Sequence, residues 1–269
     1  MNLRCATVFA VAVAGAMNTD PPVGPNDVWT EPSSGIELVA LPPGEFDMGS
    51  PDDEPGREPQ ERLHRVKLRR GFSIARYETT HAQWSRVMGT NPSHFRGCGT
   101  ACPVERVNLH DVERFIDYLN ARAANPGFRL PTEAEWEYAC RAGGRAAFGH
   151  RATISSEDAN YNSEFPLAGT PKAPARGRPM PVGSFPANAW GLFDMHGNVW
   201  EWTSDRHCPY SDGPVSDPSG ACDSERRVIR GGSFHFDAAS ARCGLRYTHR
   251  PQDSGFSLGF RLAHTRAPK

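Results

Sequence analysis

The most informative part of the chain is residues 191–202, which read GLFDMHGNVWEW. Carboxylates at Asp194 and Glu201 stand on either side of the Gly197-Asn198 pair, a combination that favours a tight turn. Gly197 accepts backbone conformations that a Cβ atom would disfavour. Hard cations such as calcium bind carboxylate and backbone carbonyl oxygens in loops of this kind. The stretch therefore predicts a turn that holds a cation.

Three further blocks accompany this stretch along the chain. They read RLPTEAEWEYACR at residues 129–141, RGGSF at 230–234 and LGFRL at 258–262. In this order, the four blocks resemble the signature of the formylglycine-generating enzyme family, also called the sulfatase-modifying-factor domain. The resemblance spans about residues 36–263. It implies an α+β, C-type-lectin-like sulfatase-modifying-factor fold with few helices, short strands, long irregular loops and disulfides.

Composition and periodicity also indicate a mixed, loop-rich domain. The 269 residues include 26 Gly and 24 Pro, which is more typical of short strands and loops than of a helical bundle. Apolar periodicity predicts a helix over about residues 109–121, and Thr132 with Glu135 predicts a capping box that starts another. Residues 145–190 show no helical periodicity. A formal charge of −1 with scattered basic residues argues against a nucleic-acid-binding protein.

The N-terminus has the composition of a secretory signal peptide, predicted here as residues 1–16. Arg4 precedes an apolar run over residues 5–16 that ends in Ala-Gly-Ala. The run is too short to cross a bilayer as a helix, so we expect an exported protein, periplasmic or extracellular, with no membrane span. A disordered leader on a cytosolic protein is the alternative. Residues 17–35 predict a flexible tether, which leaves residues 36–269 as a single domain.

Six cysteines follow the predicted leader, an even number that favours disulfides in an exported chain. Two of the favoured pairs close short local loops, and the third is a long-range bridge that the family resemblance also implies. A zinc site at the first pair is the alternative, but no second pair stands at zinc spacing. The favoured pairs are Cys98–Cys102, Cys208–Cys222 and Cys140–Cys243.

The family resemblance implies a calcium ion at residues 191–202. Its ligands would be two carboxylates and two backbone carbonyls, those of Asp194, Glu201, Gly197 and Val199. Glu201 could instead only brace backbone amides beneath the two neighbouring tryptophans. A second calcium ion of the family would use Asn160 and the carbonyl of Tyr161, although its later acidic ligand has no clear counterpart in this sequence.

The family resemblance also implies a reaction. A formylglycine-generating enzyme oxidises a cysteine of its protein substrate with oxygen, and two enzyme thiolates hold copper(I), an ion that soft sulfur ligands select. Those cysteines should follow the RGGSF block closely. Here the first position falls on Phe236 and the second between Ala238 and Ala241, while Cys243 corresponds better to the disulfide position. Copper is therefore not expected, and we predict altered chemistry.

Two histidines and a carboxylate offer a different metal site. His235 and Asp237 are two residues apart and would face one side of an extended segment. With His249 or His196 they would form a mixed nitrogen and oxygen site suited to non-haem iron. The alternative is a polar pair lining a groove. Ser233 is a further catalytic candidate, as a nucleophile, but the sequence identifies no paired base.

Aromatic side chains predict a binding cleft near the same segment. Trp200, Phe234 and Phe236 could line it, although such residues more often belong to the core. Arg246 could recognise an anionic ligand there, or it could pair with a carboxylate of the scaffold. The predicted function is that of a monomeric, exported member of the family that acts on a peptide or protein substrate. A noncatalytic lectin-like module that binds a protein or glycan is the alternative.

Overall fold

Twelve short strands and three α-helices build the part of the chain that this computed structural model describes, residues 27–265. The helices are α1 (His81–Met88), α2 (Leu109–Arg122) and α3 (Glu133–Arg141), and 3₁₀ turns lie at Arg96–Cys98 and Ala239–Ala241. The strands are β1 (Val28–Thr30), β2 (Glu37–Leu41), β3 (Gly44–Met48), β4 (His64–Leu68), β5 (Phe72–Ala75), β6 (Phe128–Arg129), β7 (Trp200–Arg206), β8 (Val215–Ser216), β9 (Arg227–Arg230), β10 (Tyr247–His249), β11 (Leu258–Gly259) and β12 (Ala263–His264).

The strands form three sheets that interleave distant parts of the chain. A five-stranded sheet has the order β1-β2-β5-β12-β6, a four-stranded sheet has the order β10-β9-β7-β11, and a three-stranded sheet has the order β3-β4-β8. Most pairs are antiparallel, while β11 with β7 and β4 with β8 are parallel. The C-terminal strand β12 lies inside the first sheet, between β5 and β6. The predicted α+β class with short strands is confirmed.

The ordered domain begins earlier than the sequence predicts. Strand β1 pairs with β2, with Val28 opposite Val39, and the chain then turns through Glu31, whose carboxylate accepts from the backbone amides of Ser33 and Ser34. The flexible tether predicted for residues 17–35 is therefore wrong from Val28 onward, because backbone pairing fixes this segment. The predicted signal peptide lies outside the described residues.

Local capping signals set the helices where the sequence predicts them. Helix α2 begins after Asn108, whose side chain accepts from the Asp111 amide, while the Asp111 side chain accepts from the Asn108 amide. Helix α3 begins after Thr132 with the predicted reciprocal pair to Glu135. The buried face of α2 packs Phe115 on the core. No helix among residues 27–265 is both long and apolar enough to cross a membrane.

Residues 142–199 contain neither a helix nor a strand, as the lack of periodicity predicts. Isolated backbone bridges hold this long segment instead, among them Asn160 with Gly197. All three predicted disulfides are confirmed: Cys98–Cys102, Cys208–Cys222 and Cys140–Cys243. The last joins α3 to the segment after Ala239–Ala241 across 103 positions of sequence, and both of its cysteines are fully buried.

Asp205 caps α3 from a neighbouring strand. Its Oδ2 accepts from the Glu133 amide at 2.9 Å and from the Ser204 hydroxyl at 3.0 Å. The side chain is buried, and burial raises the pKa of Asp205 to about 7, with the Glu133 carboxylate adding to the effect. Between about pH 4 and pH 7, Asp205 therefore keeps its proton in the folded protein, whereas the same carboxyl is ionised in the unfolded chain.

We expect this proton to make stability depend on pH. As pH rises from about 4 to about 7, the unfolded carboxyl loses its proton first, so the contribution of Asp205 to the free energy of unfolding should fall, by on the order of 2–4 kcal/mol. The variant Asp205→Asn should flatten that slope, whereas Asp117→Asn on the exposed face of α2 should not. Urea unfolding at a series of pH values measures the slopes; an unchanged slope in Asp205→Asn would contradict the assignment.

Candidate functional site

Residues 191–202 form the tight turn that their sequence predicts. Asp194, Gly197 and Asn198 all have positive φ, at 55°, 85° and 62°. Gly197 has to be glycine, because a Cβ atom there would lie 2.3 Å from the carbonyl oxygen of Asn160. The Asn198 amide donates to that same carbonyl at 2.7 Å. The turn is therefore fixed against the irregular segment that precedes it.

Glu78 holds the same turn from within the core. Its Oε1 accepts from the Val199 amide at 2.9 Å, and its Oε2 accepts from the Asn198 side-chain amide at 2.6 Å. Burial raises the pKa of Glu78 well above its usual range, and the carboxylates of Asp194 and Glu201 raise it further. Because Glu78 lies 121 positions from Val199, the sequence carries no local sign of this role.

Glu201 is the ion-pair partner of Arg261. Its Oε1 accepts from Arg261 Nη2 at 2.7 Å, and its Oε2 accepts from Arg261 Nε and from Trp136 Nε1, each at 2.7 Å. All three side chains are fully buried. A calcium ion would have to compete with the guanidinium for these oxygens. Glu201 therefore does not fit the predicted ligand role, nor the predicted alternative, since its partners are side chains and not backbone amides.

Asp194 is buried beside this ion pair. Its Oδ2 accepts from the Gly183 amide at 2.7 Å, and its carbonyl oxygen lies 3.4 Å from Arg261 Nη2. Burial raises the pKa of Asp194 to about 6. Asp194, Glu78 and Glu201 all interact electrostatically with the single guanidinium of Arg261. The raised pKa values of Glu78 and Asp194 mean that bound protons, as well as the guanidinium, reduce the buried negative charge of this cluster.

Asn160 is the predicted calcium ligand that fits best. Its Nδ2 donates to the Arg178 carbonyl and to Asn198 Oδ1, each at 3.0 Å. Its Oδ1 is buried and has no hydrogen-bond partner among residues 27–265. An unpartnered buried oxygen is costly, and coordination of a cation would satisfy it. Tyr161, the other residue predicted at this position, is buried as well, and its hydroxyl donates to the Ile154 carbonyl at 3.2 Å.

The cysteines of the described residues form disulfides. The six cysteines at positions 98–243 are all paired, so none of them offers a thiolate. The first position that the resemblance assigns to a copper ligand holds Phe236, and the second falls within Ala238–Ala241, which begins the 3₁₀ turn. Cys243 pairs with Cys140, as the resemblance implies. These residues do not fit a copper(I) site, which needs soft donors.

The predicted iron ligands do not converge. His235 is exposed. Asp237 instead caps the 3₁₀ turn, because its Oδ1 accepts from the Ser240 amide at 2.9 Å and the Ser240 hydroxyl at 2.6 Å. His249 pairs with Asp253 at 3.2 Å. Within residues 27–265 these side chains form no group close enough to hold an ion. The structure therefore corrects the hypothesis of an iron site built on this pair.

Ser233 and His196 also take structural positions. The Ser233 hydroxyl is buried and accepts from the His235 amide at 3.4 Å, and no described base contacts it. His196, Cys140 and Cys243 bring potential ligand atoms within 4.8 Å of one another, but the two sulfurs form a disulfide. Burial lowers the pKa of His196 to about 4, so this imidazole is neutral at physiological pH.

A continuous run of rings, called the aromatic surface below, covers the segment after the RGGSF block. Trp200 stacks on Tyr247 at 5.4 Å between centroids and meets Phe236 edge-on at 5.3 Å. Phe256 meets His235 at 5.4 Å. Tyr247 and Phe256 are 45% and 43% exposed. The aromatic surface comprises Phe95, Trp200, Phe234, His235, Phe236, Tyr247 and Phe256.

The predicted cleft residues divide between this surface and the core. Phe236 is a half-buried member of the aromatic surface, while Trp200 and Phe234 are buried members that belong to the core as well. Tyr247 and Phe256, which carry the exposed area, are absent from the prediction. Each lies two positions from a leucine, Leu245 or Leu258, so the sequence pattern gives no sign that these rings are exposed.

Arg246 does not line the aromatic surface. Its Nε and Nη2 donate to the two oxygens of Glu133 at 2.7 and 2.8 Å, and its guanidinium lies 3.8 Å from the Tyr210 ring centroid. Arg246 is buried. Its prediction as a cleft residue is wrong, because a buried guanidinium that is already paired is closed to a ligand. The alternative, pairing with a carboxylate of the scaffold, is confirmed.

Known proteins resemble this chain along nearly all of its described length. A sequence profile described as "Sulfatase-modifying factor enzyme 1-like domain" matches residues 25–266. A formylglycine-generating enzyme from Bos taurus is 27% identical over 88% of this chain and 77% of that protein. An "Inactive C-alpha-formylglycine-generating enzyme 2", also from Bos taurus, is 28% identical over 87% of this chain and 91% of its own length. The solved structure of PvdO from Pseudomonas aeruginosa has a TM-score of 0.76 at 30% identity, covering 91% of this chain and 100% of that one.

Proposed function

Because this chain belongs to the sulfatase-modifying factor enzyme 1-like family, we propose that it binds a polypeptide at the aromatic surface and does not oxidise cysteine through copper. The observation that carries the proposal is the pairing of all six cysteines at positions 98–243 in disulfides. Copper(I) chemistry needs soft sulfur donors, and these residues supply none. The name of the second Bos taurus relative supports the view that the fold also occurs without the reaction.

The composition of the aromatic surface supports polypeptide binding. Exposed Tyr247 and Phe256 are of the residue type enriched at protein interfaces, where they bury large area at low entropic cost. Beneath them, Trp200 Nε1 is buried and donates no hydrogen bond to any described residue. A peptide carbonyl would satisfy this indole, provided that it reached the base of the surface. The half-buried Phe236 would then pack against the same ligand.

We expect Tyr247→Ala to weaken binding of a peptide with the family's Cys-x-Pro-x-Arg motif, its cysteine replaced by serine, by about tenfold. Phe256→Ala should have a similar effect. Tyr118→Ala is the matched control, because Tyr118 is 50% exposed on α2. Isothermal titration measures the affinities. Equal affinity in Tyr247→Ala, Phe256→Ala and Tyr118→Ala would reject the aromatic surface as the binding site.

The reaction is tested separately with the cysteine-containing peptide. After incubation of the purified chain with this peptide, copper(I) and oxygen, mass spectrometry should detect no aldehyde above a no-protein control. A copper-loaded formylglycine-generating enzyme serves as the positive control. Aldehyde formation that depends on this chain would overturn the proposal. Cys140 and Cys243 would then have to act as free thiols and not as the disulfide of this structure.

A second candidate function is catalysis of a different kind at the same surface. It is favoured by two exposed histidines whose rings lie near the Phe256 ring, His235 at 5.4 Å and His94 at 6.2 Å between centroids. Two imidazoles beside one ring could transfer protons to and from a bound substrate. If the protein is an enzyme, His235→Gln should lower turnover by a much larger factor than it lowers peptide affinity. If wild type shows no turnover and His235→Gln binds the peptide more weakly, the results favour a binding module.

Calcium at Asn160 is part of the proposal. The unpartnered Asn160 Oδ1 and the carbonyl of Tyr161 would hold the ion, and its chemistry there is structural, since it would cross-link irregular backbone. With calcium at about 100 times its dissociation constant, removal by chelator should lower stability by about 2.7 kcal/mol. Thermal unfolding with and without chelator tests this. Asn160→Ala should no longer respond, whereas Asn162→Ala should; no response in wild type would contradict the site.

Export is also proposed. Three disulfides in one chain are typical of oxidising compartments, and the apolar run at residues 5–16 fits a signal for secretion. Fusing residues 1–35 to a phosphatase that is active only after export tests the proposal. An inactive, cytosolic fusion would argue for the alternative of a leader without a transport role.

A further inference from the structure

Strand β3 leaves one side of its backbone open. It pairs with β4 from Gly44 opposite Leu68 to Met48 opposite His64, and it stands at the edge of its sheet. Among residues 27–265, no backbone hydrogen bond joins Gly44–Met48 to any partner other than β4. With five residues it is also the longest of the edge strands, since the others have two or three. An open edge of this length is a template for another strand.

A cavity of about 490 Å³ lies along this edge. Residues Gly44–Asp47 of β3 line it, together with Gly144 and Arg145 of the segment after α3. Gly144 cannot carry a side chain without a clash, because its Cβ atom would lie 2.2 Å from the Gly149 carbonyl oxygen. A tight turn therefore fixes this part of the lining. The volume is within the usual range of ligand sites.

Aromatic rings line the inner side of the cavity. Tyr138 meets Trp190 at 4.7 Å between centroids and Phe46 at 5.4 Å. Trp190 is only half-buried, and the Tyr138 hydroxyl donates to the Pro42 carbonyl at 3.3 Å. These rings offer apolar contact to side chains that point inward from an added strand. This patch contains none of the rings of the aromatic surface.

Carboxylates line the outer side. Glu45 and Asp47 alternate with Phe46 along β3, so they point away from the aromatic rings. Their present partners, Lys67 and Arg65, are on β4, at 3.1 Å in each case. A strand added on the open side would lie about 4.8 Å from β3 and twice as far from β4. Its outward side chains would therefore meet carboxylates first, which favours basic residues.

We propose that the β3 edge and its cavity bind an extended peptide in which basic residues alternate with apolar or aromatic ones. The peptide would add a strand to the β3-β4-β8 sheet through main-chain hydrogen bonds. Its apolar side chains would contact Tyr138 and Trp190, and its basic side chains would pair with Glu45 and Asp47. This site is independent of the aromatic surface and of the function proposed for it.

Arg145 provides the sharpest test of the charge arrangement. It is 86% exposed as a side chain and approaches Asp47 at 4.0 Å. A basic residue of the peptide would have to displace it, so Arg145→Ala should strengthen binding about threefold, whereas Asp47→Asn should weaken binding by a similar factor. Both positions are on the surface, so the two variants should fold like wild type.

The probe is Ac-Lys-Phe-Lys-Phe-Lys-NH2, titrated into the full chain by calorimetry. Trp190→Ala should weaken its binding about tenfold, while Tyr247→Ala on the aromatic surface should leave it unchanged. The peptide with glutamate in place of lysine, and a backbone N-methylated version that cannot pair as a strand, should each bind at least tenfold more weakly.

Three results would overturn the proposal. They are equal binding of the N-methylated peptide, binding that is lost in Tyr247→Ala but kept in Trp190→Ala, and an unchanged affinity in both Arg145→Ala and Asp47→Asn. Absence of any binding by the lysine peptide would do the same. The Cys-x-Pro-x-Arg experiments use a different peptide and are read at Tyr247 and Phe256, so failure of this proposal would not by itself reject the one for the aromatic surface.

Discussion

Replacing Arg261 with methionine should lower the free energy of unfolding by about 3–5 kcal/mol. The guanidinium is fully buried and binds both oxygens of Glu201. Without it, Glu201 keeps its charge in the core with only the Trp136 indole as a donor. Arg261 also donates to the Phe193 carbonyl at 3.0 Å, so the turn at residues 191–202 loses an anchor in the same variant.

Two variants separate charge from packing in this experiment. Adding Glu201→Gln to Arg261→Met removes the unpaired carboxylate and should restore a large part of the lost stability, because the cost comes from leaving one partner buried alone. Arg114→Met is the matched surface control, since Arg114 pairs with Asp111 on the exposed face of α2, and it should cost at most about 1 kcal/mol. Chemical denaturation measures all three. A loss below about 1 kcal/mol in Arg261→Met would show that the pair is not the core anchor described above.

Removal of the long-range disulfide should have the second large effect. The double variant Cys140→Ala with Cys243→Ala should lose about 4–5 kcal/mol of stability, because cross-linking about 100 residues restricts the unfolded chain strongly. The variant Cys208→Ala with Cys222→Ala opens a loop across only 14 positions and should lose about 3 kcal/mol.

Both double variants are measured by urea unfolding under non-reducing conditions. Wild type treated with reductant should lose at least as much stability as the Cys140 and Cys243 double variant, since all of its disulfides open. If that double variant is no less stable than the Cys208 and Cys222 variant, unfolded-state entropy does not govern these cross-links. A native-state cavity at the buried sulfurs would then be the better explanation for any loss.

Those parts of the fold that depend on local chemistry were predictable from the sequence. The reciprocal bonds of Thr132 and Glu135 span three residues, so the start of α3 is readable in the chain itself. The spacing of the Gly197-Asn198 turn is equally local. Four ordered motifs also indicated the family, because each carries several residue identities at fixed spacing. The resemblance added the long-range Cys140–Cys243 bridge, which spacing alone leaves open.

The pairing of buried charges was not predictable, because each partner comes from a distant position. Arg246 meets Glu133 across 113 positions, and Glu78 reaches the turn from 121 positions before Val199. A residue type shows that a charge needs a partner but not which of many partners it takes. Asp237 illustrates the same limit at short range: its position suggested a metal ligand, while a local cap on Ser240 uses its oxygen.

The position of β12 has a consequence for how the chain reaches its native state. This two-residue strand, which ends at His264, lies between β5 and β6. Residues up to His264 must be synthesised before the first sheet can close, and Cys140 cannot pair until Cys243 has been synthesised. Contacts of such sequence separation slow folding and leave intermediates exposed to aggregation. Nascent chains of this protein should therefore depend on chaperones and on a late oxidation step, and removal of β12 should prevent maturation.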